Sequence, residues 1–177
     1  KLPYSMSSYS IQNNITVIIA HRGSSRHLRD VILDLKLWFN DIVVVGSDCT
    51  SVIDKIIDQK RSWIKSDSCS LCELWEKGMQ SKKSFWYLLL ESREYLSTVL
   101  KESIVETAKS NPDRKTWFPI KRNIFLFKQR LKYQLQWTHD PMPGLLFSGV
   151  EKTVQTSHLA DLDKMPLTGG STYFAES

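Results

Sequence analysis

Long apolar runs are missing from this chain. Nothing in its 177 residues approaches the roughly 18 consecutive apolar positions that a membrane-spanning helix needs. The N-terminus also lacks the layout of a signal peptide. Cysteine is scarce: three residues, two of them as Cys69-x-x-Cys72, do not make a disulfide framework and suit a reducing compartment. His21, His27, His139 and His158 show no ligand spacing with the cysteines, which disfavours a zinc site. No nucleophile-elbow motif supports a Ser-His-Asp hydrolase. Internal repeats and low-complexity linkers are absent as well. Net charge is modest, +5 with a pI near 9.1, so its distribution matters more than its total. What remains is ordinary for a globular domain able to bury a core, with 41% hydrophobic and 24% charged residues. The chain starts without Met and stops at a soft, polar end, so one domain of a longer protein is expected.

The pattern that is present is alternation. Residues 1–14 read as a polar lead-in. Ile15–Ala20 is a β-branched run, hence a buried strand, closed by the turn His21-Arg22-Gly23-Ser24. From Ser24, a natural N-cap, Leu28, Val31, Ile32, Leu35 and Phe39 recur at helical spacing. Asp41–Gly46 is a second buried strand, and Val52, Ile53, Ile56 and Ile57 mark a short helix after it. Arg61–Lys65 forms a brief third strand. Leu71, Leu74, Trp75 and Met79 mark the next helix. Phe85–Leu90 then runs apolar without alternation, as a strand buried on both faces does. Ser97 opens a helix carrying Val99, Leu100, Ile104 and Ala108. Such alternation predicts an α/β fold, with a mostly parallel sheet covered by helices on both faces.

Beyond Lys109 the rhythm changes. Asn111-Pro112-Asp113 breaks the helix. Thr116–Ile120 reads as an edge strand, because Pro119 cannot donate within a ladder. Ile124, Phe127, Leu131 and Leu135 predict an amphipathic helix over 124–135. Asp140–Gly144 is a turn before a short strand, Leu145–Phe147, and no structure is assigned to Thr168–Ser177.

Four strand ends carry polar clusters: His21-Arg22, Ser47-Asp48, Ser66-Asp67 and Glu91–Glu94. In a parallel sheet all four share one edge, where ligands gather. In order and spacing these segments resemble the family-2 glycosyltransferases, most of all the branch with the lipopolysaccharide core β-glucosyltransferases. Asp41–Thr50, DIVVVGSDCT, resembles the family's D-E-I-V-V-V-D-S-G-S-T. Leu90–Ser97, LESREYLS, sits on L-D-A-D-E-x-L-S. Trp117–Asn123 resembles F-P-R-R-N, and Phe147–Val154 resembles F-S-G-x-V-H-E. The resemblance runs from about Ile15 to Val154 and implies a trimmed nucleotide-diphosphosugar (GT-A) fold. It divides the single domain into a Rossmann-like half, 15–110, and an acceptor-side half with a tail, 111–177.

The chemical residues depart from that family. Its second strand ends in an Asp that recognises the nucleotide; here the matching residue is Gly46, with Asp48 two positions on. Its D-x-D carboxylates hold a divalent cation, a hard ion that wants oxygen ligands. Here those positions are Glu91 and Arg93. The family's Asn-Glu after the first strand is replaced around Arg22-Gly23, and its late His-Glu by Glu151-Lys152. The resemblance leaves His21, Arg22, Asp48, Lys77 and Arg93 as vestiges of a donor site. It predicts no metal and no cofactor, and a degenerate domain that binds, scaffolds or regulates. A metal-independent transferase stays open beside it. There Arg93 and Lys77 would hold the diphosphate, Glu91 or Glu94 would act as general base, and the partner would be a nucleotide sugar. The bland reading of Glu91–Glu94 is a solvated strand-to-helix turn.

One more segment stands out. Residues 114–139 carry seven Lys or Arg, no Asp or Glu, and several large aromatics. Trp117, Lys121, Arg122, Lys128, Arg130 and Lys132 suit a membrane surface with anionic lipid, or a partner protein. The resemblance tilts this towards glycolipid or polysaccharide assembly at the inner, cytoplasmic face of a membrane. Single-stranded nucleic acid is the weakest option. The plain alternative is an aromatic core beneath a basic solvated face.

Overall fold

The computed structural model of the chain describes residues 15–22, 27–47, 61–110, 116–126, 129–130, 144–147, 163–164 and 171–174. The expected helix around Val52–Ile57, the Ser24 cap, Asp48, Lys128, Lys132 and Glu151-Lys152 lie outside them. Among the described residues, strand β1 (Ile15–His21) is followed by α1 (Leu28–Leu35), β2 (Asp41–Gly46) and β3 (Arg61–Lys65). Then come α2 (Leu71–Ser81), β4 (Trp86–Glu91), β5 (Glu94–Leu96) and α3 (Thr98–Ser110). The second half supplies short strands: β6 (Thr116–Pro119), β7 (Arg122–Leu126), β8 (Gln129–Arg130), β9 (Gly144–Phe147), β10 (Asp163–Lys164) and β11 (Ser171–Phe174).

The main sheet has the order β10-β6-β9-β4-β1-β2-β3. β1 pairs in parallel with both β2 and β4, and β2 in parallel with β3; β9 runs antiparallel to its neighbours β4 and β6. Because the central strands are covered on both sides, their side chains are apolar in both directions. Ile15, Val17, Ile19, Ile42, Val44, Leu88 and Leu90 face α1 and α3. Ile18, Ala20, Val43, Val45, Tyr87 and Leu89 face α2, from which Leu71, Leu74, Trp75 and Met79 descend. Each large side chain so buried contributes about 1.5–3 kcal/mol. On the first face the buried Lys101 of α3 donates from Nζ to Asp34 Oδ1 of α1 at 2.6 Å, tying the two helices together. α2 presses close to the sheet because Gly78 offers no side chain: a Cβ there would stand 2.3 Å from Ile18 Cγ2.

Among the described residues the alternation of the first half is as the sequence predicts, and several details differ. α1 starts at Leu28, after a His27 cap that makes no side-chain cap bond. Thr116–Pro119 is not an edge strand, since it lies between β10 and β9. Its proline is tolerated because β10 reaches only Thr116 and Trp117, leaving Pro119 beyond that ladder. The amphipathic helix expected over 124–135 is not formed in its described part. Arg122–Leu126 and Gln129–Arg130 are instead antiparallel strands, in which an aromatic residue such as Phe125 fits the pleat. They belong to a second sheet, β5-β11-β7-β8, whose strand β11 comes from the tail to which the sequence assigned no structure.

Candidate functional site

The C-terminal ends of β1, β2, β3 and β4 lie on one edge, as the strand-end clusters require. Here the parallel ladder runs one step past the strands, with Ser92 N donating to Ala20 O at 3.0 Å. Trp75 of α2 fixes the same edge from one face by donating its indole Nε1–H to Leu90 O at 2.9 Å. Glu91 and Glu94 therefore sit at the top of the central strand, but not in a solvated turn. Both are buried, at 1% and 0% exposure.

Two buried carboxylates need partners, and three arginines supply them. Glu91 Oε1 accepts from Arg93 Nη2 at 3.1 Å and from Arg22 Nη2 at 3.3 Å. Arg122 donates from Nε to Glu94 Oε1 at 2.8 Å and brings Nη2 within 3.9 Å of Glu91 Oε2. The other Glu94 oxygen accepts the Glu91 backbone N–H at 2.9 Å, closing the turn on itself. Arg22 is tied further, donating from Nη1 to the Cys69 carbonyl at 3.2 Å. Burial pushes the Glu94 carboxyl above its ordinary range; Arg122 and the Glu91 N–H pull the other way without cancelling it.

The second sheet explains how Arg122 reaches this place. β11 pairs with β5 on one side and β7 on the other, with Tyr173 opposite Glu94 and Ser171 opposite Arg122. From the sequence Arg122 is expected on a basic surface, and it is instead part of the buried cluster. Trp117 is not on a surface either. It is 3% exposed in the core against α2's face of the sheet. Arg122 is drawn in by β7, and Trp117 by β6, which lies between β10 and β9. Lys121 does remain exposed, and Arg130 lies in β8.

Of the other residues of the predicted donor site, Asp48 lies outside the described residues. His21 is buried at the end of β1 with its ring edge-on to Trp63, centroids 6.1 Å apart. Lys77 reaches back from α2 and donates to Ser66 Oγ at 2.7 Å, beside the end of β3. Gly46 is held by sterics. A Cβ there would lie 2.4 Å from His21 O and 2.9 Å from His21 Cβ, so the aspartate that the resemblance places here has no room.

A divalent cation does not fit this donor set. A hard cation wants carboxylate oxygens free of competing charge. Glu91 gives one oxygen to two guanidiniums, and Arg93 occupies the second position of the pair. Removing the carboxylate should be costly rather than neutral. The sequence's edge placement predicts little effect for Glu91→Ala, whereas the buried cluster predicts a loss of about 3 kcal/mol, measurable by thermal or urea unfolding.

No protein-family model and no curated protein sequence matches the chain. Solved structures do resemble it. TarS residues 1–349 from S. aureus in complex with UDP-GlcNAc superposes with a TM-score of 0.62 at 13% identity, over 93% of this chain and 59% of TarS. A second TarS 1–349 structure gives 0.55 at 14% identity, over 92% and 60%. The bifunctional IspDF of Campylobacter jejuni gives 0.55 at 14% identity, over 93% of this chain and 50% of that protein. The chain thus spans 50–60% of the length of these proteins. At such identities the likeness is one of fold: the chain has a GT-A-like α/β fold, with its polar cluster at the strand-end edge.

Proposed function

We propose that the chain is a glycosyltransferase-like domain of the family-2 type that has lost metal-dependent donor chemistry. It serves as a binding, scaffolding or regulatory module in surface-polysaccharide or glycolipid assembly. The observation that carries this reading is the state of Glu91. The residue at the first D-x-D position is buried, and its partner at the second position, Arg93, neutralises it together with Arg22. The fold likeness to TarS, which holds UDP-GlcNAc in one structure, and the motif order support the glycosyltransferase-like part. Calorimetry against UDP-, GDP- and CDP-linked sugars with manganese or magnesium tests it. No metal-dependent heat is expected; a metal-dependent dissociation constant in the micromolar range, about −8 kcal/mol, would overturn it.

A second reading has one observation in its favour. Three guanidiniums face two carboxylates, and Arg22, Arg93 and Arg122 keep 25%, 15% and 10% of their side chains exposed. A diphosphate could meet those exposed guanidinium edges without a metal. In the same calorimetry this reading requires nucleotide-sugar binding that is indifferent to chelator and lost in Arg93→Ala.

A further inference from the structure

The edge opposite the arginine cluster is different in kind. Helices α1, α2 and α3 all run back from the strand ends and terminate there. Lys36 follows α1, Lys82 and Lys83 follow α2, and Lys109 lies in the last turn of α3. Lys36, Lys83 and Lys109 are exposed; Lys82 is half-buried and donates to Asp41 Oδ1 at 2.5 Å. That ion pair holds the loop after α2 against the start of β2. Thr16 stands opposite Asp41 and Ile15 opposite Trp86, so the starts of β2 and β4 are only two strand spacings apart, about 10 Å.

Among the described residues three large apolar side chains are exposed, and two are on this edge: Leu37 at 75%, and Phe85 at 60%, one residue before β4. Lysines at helix C-termini are expected from the helix dipole alone. The dipole does not account for a leucine and a phenylalanine standing out between them. Among the described residues the acidic groups here include Asp41, already paired, Glu106, which lies against Ser110 at the end of α3, and Asp163, opposite Thr116 at the start of β6.

We propose that this edge docks on an anionic lipid surface, with Leu37 and Phe85 entering the headgroup layer and Lys36, Lys83 and Lys109 against the lipid phosphates. Two apolar side chains are too few for a stable protein interface, which needs upwards of roughly 1,200 Å². They are enough for shallow insertion supported by charge. The orientation turns the arginine cluster away from the bilayer, and the inference is independent of whether that cluster binds a nucleotide sugar.

Sedimentation of the 177-residue chain with phosphatidylcholine vesicles, with and without phosphatidylglycerol, tests this. Binding is expected only to the anionic vesicles, weakening as salt rises. Each lysine contributes a factor of about five near such a surface, so Lys36→Gln/Lys83→Gln/Lys109→Gln should reduce partitioning about a hundredfold. Leu37→Ser/Phe85→Ser should reduce it about tenfold or more, at high salt as well as low. All five positions are exposed, so the melting temperature should hardly move. Absence of binding, equal binding to neutral vesicles, or wild-type binding by the triple-Gln variant would overturn the proposal. So would loss of binding in Lys128→Glu/Arg130→Glu/Lys132→Glu alone, which would return the lipid surface to the basic segment.

Discussion

Arg122→Ala is expected to destabilise the protein by about 3–5 kcal/mol at neutral pH, a large part of the stability of an ordinary domain. Glu94 is fully buried, and Arg122 is its 2.8 Å ion-pair partner; without it the carboxylate keeps only the Glu91 N–H among the bonds described. The pH dependence separates this from a simple loss of packing. The folded-state pKa of Glu94 is already raised by burial, and removing Arg122 takes away the principal group that lowers it. A carboxyl with a raised folded pKa holds its proton more tightly in the folded state. Its contribution is favourable below the unfolded value, near 4.3, and is lost as pH rises through the folded value. The penalty of Arg122→Ala should therefore shrink towards pH 4.5 and be largest at pH 7. Arg122→Met/Glu94→Gln, which removes both charges and keeps an acceptor for Glu91 N–H, should recover a good part of the loss. Urea unfolding of the wild type and the two variants at both pH values is the measurement. A penalty independent of pH, with no recovery in the double variant, would show that the charge of Glu94 is not what Arg122 serves.

Leu89→Asp should be more severe still, about 5 kcal/mol or more, which unfolds a domain of ordinary stability. Leu89 is wholly inaccessible in the middle of the main sheet, with Ile18 of β1 and Gly144 of β9 on its two sides. Above it lies the apolar face of α2. A carboxylate there meets no donor and no water, whereas Leu89→Met keeps volume and polarity and should cost under about 1.5 kcal/mol. Circular dichroism of the two variants distinguishes them directly. A folded, cooperatively melting Leu89→Asp would move the central strand out of the core.

The contrast between β4 and the second half shows what the residue pattern could convey. Trp86–Leu90 is apolar in both directions, and only a strand covered on both sides asks for that, so the place of β4 was legible, although Phe85, read as its first residue, precedes the strand and is 60% exposed. The helical repeats of α1, α2 and α3 were legible for the same reason, each pointing one apolar stripe at the sheet. Glu91, Glu94, Arg22 and Arg93 were legible as a strand-end cluster. The burial of Glu91 and Glu94 was not, because the arginine that pairs with Glu94, Arg122, is 28 residues away in sequence, on a strand paired with β11. Strands of two to four residues such as β8, β10 and β11 carry almost no periodicity of their own. In 124–135 the apolar spacing fits a helix, and pairing with distant partners overrode it. Arg122 and Trp117 were assigned to a surface from the basic and aromatic composition of 114–139, which does not show which side chains the strands turn inward. Gly46 is a different case. The resemblance implies an aspartate at this position, and the approach of the His21 backbone shows that none can be placed there.

The central claim is that Glu91 is committed to arginines and is not available to a cation. Electron paramagnetic resonance of Mn²⁺ titrated into the protein with saturating UDP-GlcNAc reads this most directly, because bound and free ions differ in signal. The account predicts that the free-ion signal grows as it does with UDP-GlcNAc alone, with no ion retained by the protein. One equivalent of Mn²⁺ held at micromolar concentration, and lost in Glu91→Gln, would contradict it.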